Sequence, residues 1–419
     1  MHITPAQLNN AVSTIQTLLP LEYPADAILR RFFQKNPKLG ARDRAFIAET
    51  AFGILRHRFF LEQCINPVTP RSLLLAFLVR FQNVNPHELK NWAQGSEIKW
   101  LQTIHAVKMG SLPLTAQAEL PEWLIERLRQ FMPDEAILKL GRSLQNAAPL
   151  DLRVNTLLTK REHVLETLIN EGILAEATPF SPCGIRLHSK PTINLHPLFL
   201  SGKIEVQDEG SQLLGYLMAP KRGEMAVDFC AGAGGKTLLL GALMHSKGRV
   251  YAFDVYEKRL NNLKPRLKRS GLSNVHIQRI ANEHDLKIKR LKDKIDRVLV
   301  DAPCSGLGTL RRNPDLKWRQ SPQSIEELKT KQSSILSAAA TLVKPGGRLV
   351  YATCSFLPEE NQRIIENFQS DNTEFDLLDC SELMAEQKIA VNTGKFLQLS
   401  PDTHGTDGFF AAALQRKKR

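Results

Sequence analysis

The chain has 419 residues, of which 42% are hydrophobic, so it is long enough for two or three domains with full cores. Its formal net charge of +13 indicates a polyanionic partner, with nucleic acid first, because lysines and arginines release counterions when they neutralise phosphates. The longest uncharged apolar run, Leu73 to Val79, is too short to cross a bilayer. The start of the chain also lacks a secretory pattern, and a cytoplasmic protein is expected.

The six cysteines are scattered along the chain. There is no C-x-x-C pair and no histidine at the spacing of zinc ligands, so reduced thiols and no structural metal are expected. No apolar heptad or exposed strand repeat indicates an oligomer.

Residues 1–146 predict an α-helical domain. Between Arg42 and Arg58, apolar residues recur at the i, i+4, i+7 and i+8 positions of one helical face. Pro121 opens a further helix that ends before Pro133. The basic run Arg56-His57-Arg58 is compatible with RNA binding or with a solvated face.

Residues 147–206 follow a linker and predict a small α+β domain, because short strands and one helix are broken by several prolines. Residues 207–419 alternate strands and helices. That alternation is typical of a doubly wound, Rossmann-like α/β sheet.

Two cysteines lie shortly after apolar runs of this last domain. Cys304 follows IDRVLV in the sequence Asp301-Ala-Pro-Cys-Ser-Gly, and Cys354 follows RLVYA in Tyr351-Ala-Thr-Cys-Ser. Both runs read as buried parallel strands, and ligands of open α/β sheets gather at the carboxyl ends of the strands. A single cysteine is more often a small buried hydrophobe, but this placement predicts that both sulfurs face one crevice.

A glycine-rich loop follows the first strand of the same domain, in the sequence CAGAGGKT from Cys230 to Thr237. It matches neither a phosphate-binding P-loop, which needs a glycine where Cys230 stands, nor the dinucleotide fingerprint, which needs a third glycine where Thr237 stands. Asp254 ends the second strand, where a carboxylate accepts the hydroxyls of a ribose. Together these features favour S-adenosylmethionine over NAD.

Two thiols beside such a cofactor favour carbon methylation of a pyrimidine. C5 of a pyrimidine is methylated only after a nucleophile has added to C6, and a thiolate is suited to that reversible addition. Lys236, Arg311 and Arg312 are candidates for activating the thiol. A second cysteine then has a role in acid–base chemistry or release of the product, and Asp301 could hold the cytosine edge.

The chain resembles the RNA cytosine-C5 methyltransferases of the NOP/Sun group over nearly its whole length. The resemblance rests on CAGAGGKT, on DAPCSGLGTLRRNPDLKW, on YATCS with the following Pro358-Glu-Glu-Asn361, and on DGFFAA. The segment KLGARDRAFIAETAFGILRHR is similar to the NusB-like RNA-binding domain of bacterial 16S ribosomal RNA members, and LRVNTLL and IEVQDEGSQL resemble the segments that join the two.

This resemblance implies that Cys354 is the nucleophile, that Cys304 assists product release and that Asp254 binds the ribose. It makes Asp301 a contact to the cofactor or the base, and 16S ribosomal RNA the expected substrate. Arg311, Arg312 and Lys317 are expected to contact RNA. The loop expected to surround the methionine end of the cofactor consists of Cys230, Ala231, Gly232, Ala233, Gly234, Gly235 and Lys236.

Two positions depart from the family pattern. Ala233 stands where the family usually has proline, and Asn282 stands where it usually has an aspartate that meets the adenine. An amide can still hydrogen-bond the adenine amino group, although Glu283 or Asp285 could take that role.

Three other functions stay open at this stage: a catalytically idle RNA-binding or ribosome-assembly factor, a tRNA cytosine-C5 methyltransferase, and a DNA methyltransferase. The idle factor is disfavoured because both cysteines, Asp301 and Lys236 are present. A DNA enzyme of this chemistry resembles a pattern in which the Pro-Cys thiol attacks, so separate replacement of the two cysteines would distinguish it.

Overall fold

The computed structural model describes residues 3–418. The chain divides into two compact units, one formed by residues up to Ala147 together with Thr309–Pro322, the other by Ala148–Gly308 and the chain from Gln323 onward. Within residues 3–418, none of the helices combines the length and the apolar character needed to span a membrane.

The α-helices are α1 (Pro5–Leu18), α2 (Ala25–Lys35), α3 (Ala41–Cys64), α4 (Pro70–Phe81), α5 (Gly95–Ile104), α6 (Leu114–Ala118), α7 (Glu122–Arg129), α8 (Asp134–Gln145), α9 (Arg161–Asn170), α10 (Pro197–Leu200), α11 (Glu209–Met218), α12 (Gly235–Leu243), α13 (Glu257–Ser270), α14 (Leu286–Lys289), α15 (Leu316–Arg319), α16 (Pro322–Ala340), α17 (Gln362–Asp371), α18 (Cys380–Glu386) and α19 (Pro401–His404). Short 3₁₀ turns cover Pro86–Leu89, Met109–Ser111, Ile193–Leu195, Leu307–Thr309 and Pro358–Glu360.

The strands are β1 (Leu150–Val154), β2 (Ala175–Ala177), β3 (Gly184–Leu187), β4 (Ile204–Val206), β5 (Met225–Asp228), β6 (Arg249–Asp254), β7 (Val275–Arg279), β8 (Ile295–Asp301), β9 (Val343–Thr353), β10 (Phe375–Leu378), β11 (Leu397–Leu399) and β12 (Phe409–Arg416).

The first unit is helical, as expected for the N-terminal region. Its first helix begins at a capping box, in which the Thr4 side chain accepts the Gln7 backbone N–H and the Gln7 side chain accepts that of Thr4. Its core is apolar and centres on α4, where every residue from Leu73 to Val79 is buried. The run that looked too short for a membrane is therefore a core helix.

Helix α3 is kinked at His57, whose φ of −112° and ψ of 20° are not helical. Two residues beyond the kink donate their backbone N–H groups outside the helix. Phe59 and Phe60 donate to the Glu119 carboxylate at 3.1 and 2.9 Å. Glu119 is itself only 2% exposed. A buried carboxylate thus replaces two helical acceptors at the kink.

The two carbonyls released at this kink are taken by the segment Thr309–Pro322. The Lys317 ammonium donates to the Arg56 carbonyl at 2.8 Å, and the Trp318 indole N–H donates to the Leu55 carbonyl at 3.3 Å. Lys317 also donates to a Glu119 carboxylate oxygen at 3.1 Å. Each backbone N–H and carbonyl group that the kink releases thus has a hydrogen-bond partner. Without a partner, these buried groups would lower the stability of the fold.

This arrangement corrects the expectation that Lys317 contacts RNA, because its side chain is only 4% exposed and its ammonium is directed at Glu119 and two carbonyls. Arg311 is also buried, whereas Arg312 is partly exposed. The basic run at the kink is not a fully solvated face either. His57 is half-buried, and burial, followed by the charges of Lys317 and Arg56, lowers its pKa to about 3.

The second unit holds two sheets. The smaller has the strand order β2-β3-β1-β4 and is antiparallel. The larger has the order β10-β12-β9-β8-β5-β6-β7, with β11 beside β12. Strands β9, β8, β5, β6 and β7 pair in parallel, and β12 joins antiparallel to β9. This topology confirms the expected doubly wound sheet.

The smaller sheet lies in the same compact unit as the larger one, where a separate domain at residues 147–206 was expected. Arg153 and Asn155 connect the two regions. The Arg153 guanidinium donates to the Gln207 side chain at 3.0 Å, and the Asn155 amide donates to the Ser270 carbonyl at 2.9 Å. Both side chains are buried, so the connection is part of the interior.

We predict that Lys317→Met lowers the free energy of unfolding by about 3–5 kcal/mol, because it leaves the buried Glu119 carboxylate without its cation. Lys329→Met, which removes a more exposed ion pair with Glu326, should change it by at most about 1 kcal/mol. Urea unfolding measures both. If Lys317→Met kept full stability and instead weakened RNA binding, the side chain would be an RNA contact after all.

Candidate methyltransferase site

The glycine loop connects β5 to α12 at the carboxyl edge of the larger sheet. Gly234 adopts a left-handed φ of 82°, and a Cβ there would come within 2.1 Å of the Leu263 side chain, so glycine is required. Around Gly232, with φ of 56°, a Cβ would meet no atom within 4 Å. The loop therefore leaves open space beside its backbone, where a ligand can approach.

Asp254 ends β6 and faces this loop. One carboxylate oxygen accepts the Gly232 N–H at 2.8 Å, and the other accepts the Tyr256 N–H at 2.7 Å. The residue is only 4% exposed. Each carboxylate oxygen has a second lone pair, so the group can still accept from ribose hydroxyls while the loop holds it in place.

The candidates for the adenine contact follow β7. Asn282 is exposed, and its side-chain oxygen accepts the His284 N–H at 2.9 Å. The Glu283 carboxylate accepts from the Ser334 hydroxyl at 2.6 Å, and Asp285 caps α14. The two carboxylates thus have structural roles, which keeps Asn282 as the candidate.

Lys236 and Asp301 form an ion pair across the site, from the first turn of α12 to the end of β8. The Lys236 ammonium lies 2.6 Å from an Asp301 carboxylate oxygen. Burial alone would lower the pKa of Lys236, but the charge and hydrogen bond of Asp301, aided by Asp228 and Cys354, raise it. The lysine is therefore a fixed positive charge that also acts on the Cys354 sulfur.

The two cysteines meet at the carboxyl ends of β8 and β9. Their sulfur atoms lie 3.2 Å apart, and the Cys354 N–H donates to the Cys304 sulfur, also at 3.2 Å. Both cysteines are free and partly exposed. The expected convergence of the two thiols on one crevice is therefore present in the structure.

The loop that carries Cys304 approaches the one that carries Cys354 very closely. Gly308 donates its N–H to the Cys354 carbonyl at 2.9 Å and accepts the Gly408 N–H at 2.8 Å. A Cβ on Gly308 would lie 2.2 Å from the Gly408 carbonyl oxygen. Backbone packing of this kind admits only glycine.

The two thiols have different surroundings. The hydrogen bond with Cys354 raises the pKa of Cys304 well above its usual value, with burial and the charges of Cys354 and Glu360 acting in the same direction. The pKa of Cys230, in the glycine loop, is raised by burial and by nearby carboxylates, first that of Asp301. Cys304 and Cys230 thus favour their neutral thiol forms.

Asp228 is a buried carboxyl group beneath the glycine loop. Burial raises its pKa to about 7, although the Thr237 hydroxyl donates to it at 2.7 Å. Asp301 and Asp254 add to the increase and Lys236 opposes it. Its charge is therefore disfavoured near neutral pH.

Sequence reasoning missed four buried polar residues behind the cysteines. Glu360, Ser305, Ser355 and Gln332 form one hydrogen-bonded cluster. The Pro358-Glu-Glu-Asn361 motif was the available signal, because two adjacent carboxylates shortly after a strand end are unusual in a buried segment.

The residues around the loop fit S-adenosylmethionine. The open space at Gly232 admits a ligand against the backbone, and Asp254 supplies acceptors for a ribose. In the part of the chain that the structure describes, no group of three or more histidine, cysteine, aspartate or glutamate side chains is arranged to hold a metal ion.

Comparison with known proteins identifies the family of the chain. The model of the 16S rRNA methyltransferase RsmB/F family matches residues 215–415, and that of the RsmF/B-like ferredoxin-like domain matches residues 120–194. The probable ribosomal RNA small subunit methyltransferase B of Synechocystis sp. is 32% identical, with 93% of this chain and 95% of that protein covered.

Two further proteins are similar over nearly the whole chain. The ribosomal RNA small subunit methyltransferase B of Yersinia pseudotuberculosis is 33% identical, with 97% of this chain and 98% of that protein covered. The crystal structure of PH0851 superposes with a TM-score of 0.79 at 28% identity and covers 99% of this chain and 100% of that one.

A doubly wound sheet with an open glycine loop and a buried carboxylate at the end of the second strand fits the class of S-adenosylmethionine-dependent methyltransferases. Within that class, the chain belongs to the RsmB/F family of 16S ribosomal RNA methyltransferases.

We predict that stability depends on pH through Asp228. Its pKa in the folded protein, about 7, lies above the ordinary aspartate value of 3.8. The folded protein therefore binds the extra proton, and this contribution to stability is lost as pH rises from about 4 to about 7, by up to about 1.4 kcal/mol per pH unit.

Asp228→Asn removes this dependence, so urea unfolding should show the variant gaining stability relative to wild type between about pH 5 and pH 8. Asp371→Asn, at an exposed aspartate, provides the control. An Asp228→Asn difference from wild type that is equal at both pH values would contradict the assignment.

We also predict that Asp254→Asn weakens binding of S-adenosylmethionine by about tenfold or more, because a charged acceptor of hydroxyl hydrogen bonds is lost. Asn282→Ala should weaken it less, by several-fold. Calorimetric titration of the full-length variants measures both, and unchanged affinity in Asn282→Ala would remove that residue from the site.

Proposed function

We propose that this protein methylates C5 of a cytosine in RNA, most directly in 16S ribosomal RNA, through a covalent bond between Cys354 and C6 of the base. The observation that supports the proposal most is the pair of sulfur atoms 3.2 Å apart, beside the Lys236–Asp301 ion pair. Nitrogen methylation needs no thiol at all. A carbon target explains why two are held together.

The two thiols have different chemical roles in this proposal. The ammonium of Lys236 interacts with the Cys354 sulfur. Cys304 holds its proton more tightly, because its pKa is raised. Cys354 therefore suits the nucleophile and Cys304 the acid–base partner, the same assignment that the family resemblance implies.

The steps balance as follows. The Cys354 thiolate forms a bond to C6, which makes C5 nucleophilic, and C5 takes the methyl group that S-adenosylmethionine supplies when bound. Cys304, a neutral thiol at the start, gives its proton to N3 of the ring as Cys354 adds to C6, and the Cys304 thiolate so formed then removes the C5 proton, while the N3 proton passes to solvent. The electron pair of that C–H bond restores the C5–C6 double bond as the Cys354 sulfur leaves.

Other residues hold the reactants. The loop from Cys230 to Lys236 and Asp254 would bind the cofactor. Asp301 keeps one carboxylate oxygen free of the Lys236 contact at 2.6 Å, and that oxygen suits the cytosine amino edge. The target base must leave any stack to reach these groups, so the substrate is a single-stranded or flipped cytosine.

RNA binding is assigned to the basic surface of the protein rather than to Lys317. Arg312 remains a candidate, and the helical unit is proposed to contribute to binding. The relatives named for the small ribosomal subunit favour 16S ribosomal RNA as the substrate. Transfer RNA is the alternative substrate of the same chemistry.

We predict that Cys354→Ala lowers methyl transfer to small-subunit ribosomal RNA by more than about 1,000-fold, since the covalent nucleophile is lost. Cys304→Ala should also lose turnover, but should accumulate a covalent protein–RNA adduct because release is blocked. Labelled S-adenosylmethionine measures the first effect, and a denaturing gel the second.

Cys64→Ala, a change at a partly buried cysteine of the helical unit, is the matched control and should retain turnover. An adduct trapped in Cys354→Ala instead of Cys304→Ala would reverse the roles and favour the chemistry of DNA enzymes. If the wild-type protein bound the cofactor but methylated only transfer RNA, the substrate would be transfer RNA instead of ribosomal RNA. If it methylated neither RNA, an assembly factor without catalytic activity would be favoured.

A further inference from the structure

Glu360 ends the short 3₁₀ turn Pro358–Glu360, behind the two cysteines. It has no exposed surface, and neither have Ser305 and Gln332, two of its partners. A carboxylate this deep needs a full set of donors to be stable.

The first two donors come from the residue after Cys304. The Ser305 backbone N–H donates to one Glu360 carboxylate oxygen at 2.8 Å, and the Ser305 hydroxyl lies 2.5 Å from the other. The carboxylate therefore holds both the backbone and the side chain of the loop that carries Cys304.

The next donor comes from the residue after Cys354. The Ser355 hydroxyl also lies 2.5 Å from the second Glu360 oxygen and 3.1 Å from the Ser305 hydroxyl. Gln332, from α16, donates its amide to the first oxygen at 2.9 Å. One carboxylate thus joins the residues that follow the two cysteines.

The backbone around Glu360 is also held by hydrogen bonds, as its carboxylate is. The Tyr351 hydroxyl donates to the Glu360 carbonyl at 2.7 Å. Asn361 accepts from the Thr353 hydroxyl at 2.5 Å and donates its amide to the Ser355 carbonyl at 3.0 Å. The turn is therefore attached to the chain on both sides of Cys354, to β9 before it and to Ser355 after it.

We propose that Glu360 is the positioning residue of this site: its carboxylate holds the two cysteine loops at their close separation and places a negative charge on the side of Cys304. This inference rests on the proposed function and extends it, because it explains how two adjacent thiols acquire different roles.

The electrostatic part follows from the sulfur separation. Two thiolates 3.2 Å apart would repel each other strongly, so the pair ionises at one sulfur first. The groups whose charges act on Cys304 are Cys354 and Glu360, whereas the Lys236 ammonium interacts with Cys354. The negative charge of Glu360 lies on the Cys304 side, where it opposes ionisation of that thiol.

Two substitutions of Glu360 separate the effect of its charge from the effect of its side-chain length. In Glu360→Gln the side chain keeps its length, and the amide group can face the two serine hydroxyls, which can turn to accept. The connection is kept and the charge is lost. Glu360→Asp keeps the charge but is one methylene shorter, so it cannot contact both loops as Glu360 does.

The first measurement is the rate of alkylation of each cysteine by iodoacetamide as a function of pH, followed by mass spectrometry on the full-length protein without RNA. In wild type, Cys354 should react at lower pH than Cys304. In Glu360→Gln the Cys304 profile should move to lower pH, whereas Glu360→Asp and the exposed control Glu366→Gln should keep the wild-type order. An unmoved Cys304 profile in Glu360→Gln would overturn the electrostatic role.

The second measurement is steady-state methylation of small-subunit ribosomal RNA. Glu360→Asp should lower kcat by about 100-fold, as expected for misplaced reacting groups, with little change in the KM for RNA because Glu360 is buried. Ser355→Ala removes one hydrogen-bond donor to Glu360 and leaves the Glu360 charge in place, and it should also lower kcat. This variant replaces the Glu360 variants in the test if one of them fails to fold. Unchanged kcat in both folded variants would overturn the positioning role.

The two measurements also separate this inference from the proposed function. Wild-type protein that methylates no cytosine would contradict the function, while the alkylation profiles would still test Glu360. Conversely, the wild-type protein could be active while Glu360→Gln and Glu360→Asp both keep the wild-type kcat and the wild-type order of cysteine alkylation. That result would contradict only the role of Glu360.

Discussion

The parallel pairing of β8 with β9 is the constraint on which the site depends. The register places Asp301 opposite Ala352, so the chain leaves both strands at the same level and the two cysteine loops begin side by side. Because parallel neighbours end at one edge of a sheet, residues fifty positions apart in sequence come to share one crevice. The hydrogen bond from the Gly308 N–H to the Cys354 carbonyl then joins the backbones of the two loops.

Because the two cysteines lie so close together, several acidic groups would repel one another if all of them were ionised. Three acidic groups, Asp301, Asp228 and the Cys354 thiol, act on the ammonium of Lys236, and Asp254 acts on Asp228. Not all of them can be ionised together in a buried site. The structure distributes charge unevenly, with Asp301 paired to the lysine and Asp228 and Cys304 favouring their neutral forms. The asymmetry between two chemically identical thiols arises from this distribution.

The sequence predicted the strand ends, the glycine loop and both cysteines correctly, because these depend on local pattern. It could not reveal α11, whose residues are all buried and therefore show no amphipathic period. Nor could it reveal that Lys317 is buried, since a lysine in a basic segment is normally solvated. The role of Glu360 was equally hidden, because its partners come from three separate segments and only the folded chain brings them together.

The kink in α3 has a consequence for the order in which this protein is made. The carbonyls released at that kink are bonded by Lys317 and Trp318, which leave the ribosome long after the helix has been synthesised. A nascent chain that ends before them holds Glu119 buried without a cation. The helical unit therefore completes its hydrogen bonds only after Thr309–Pro322 has been synthesised, and not as an N-terminal segment alone.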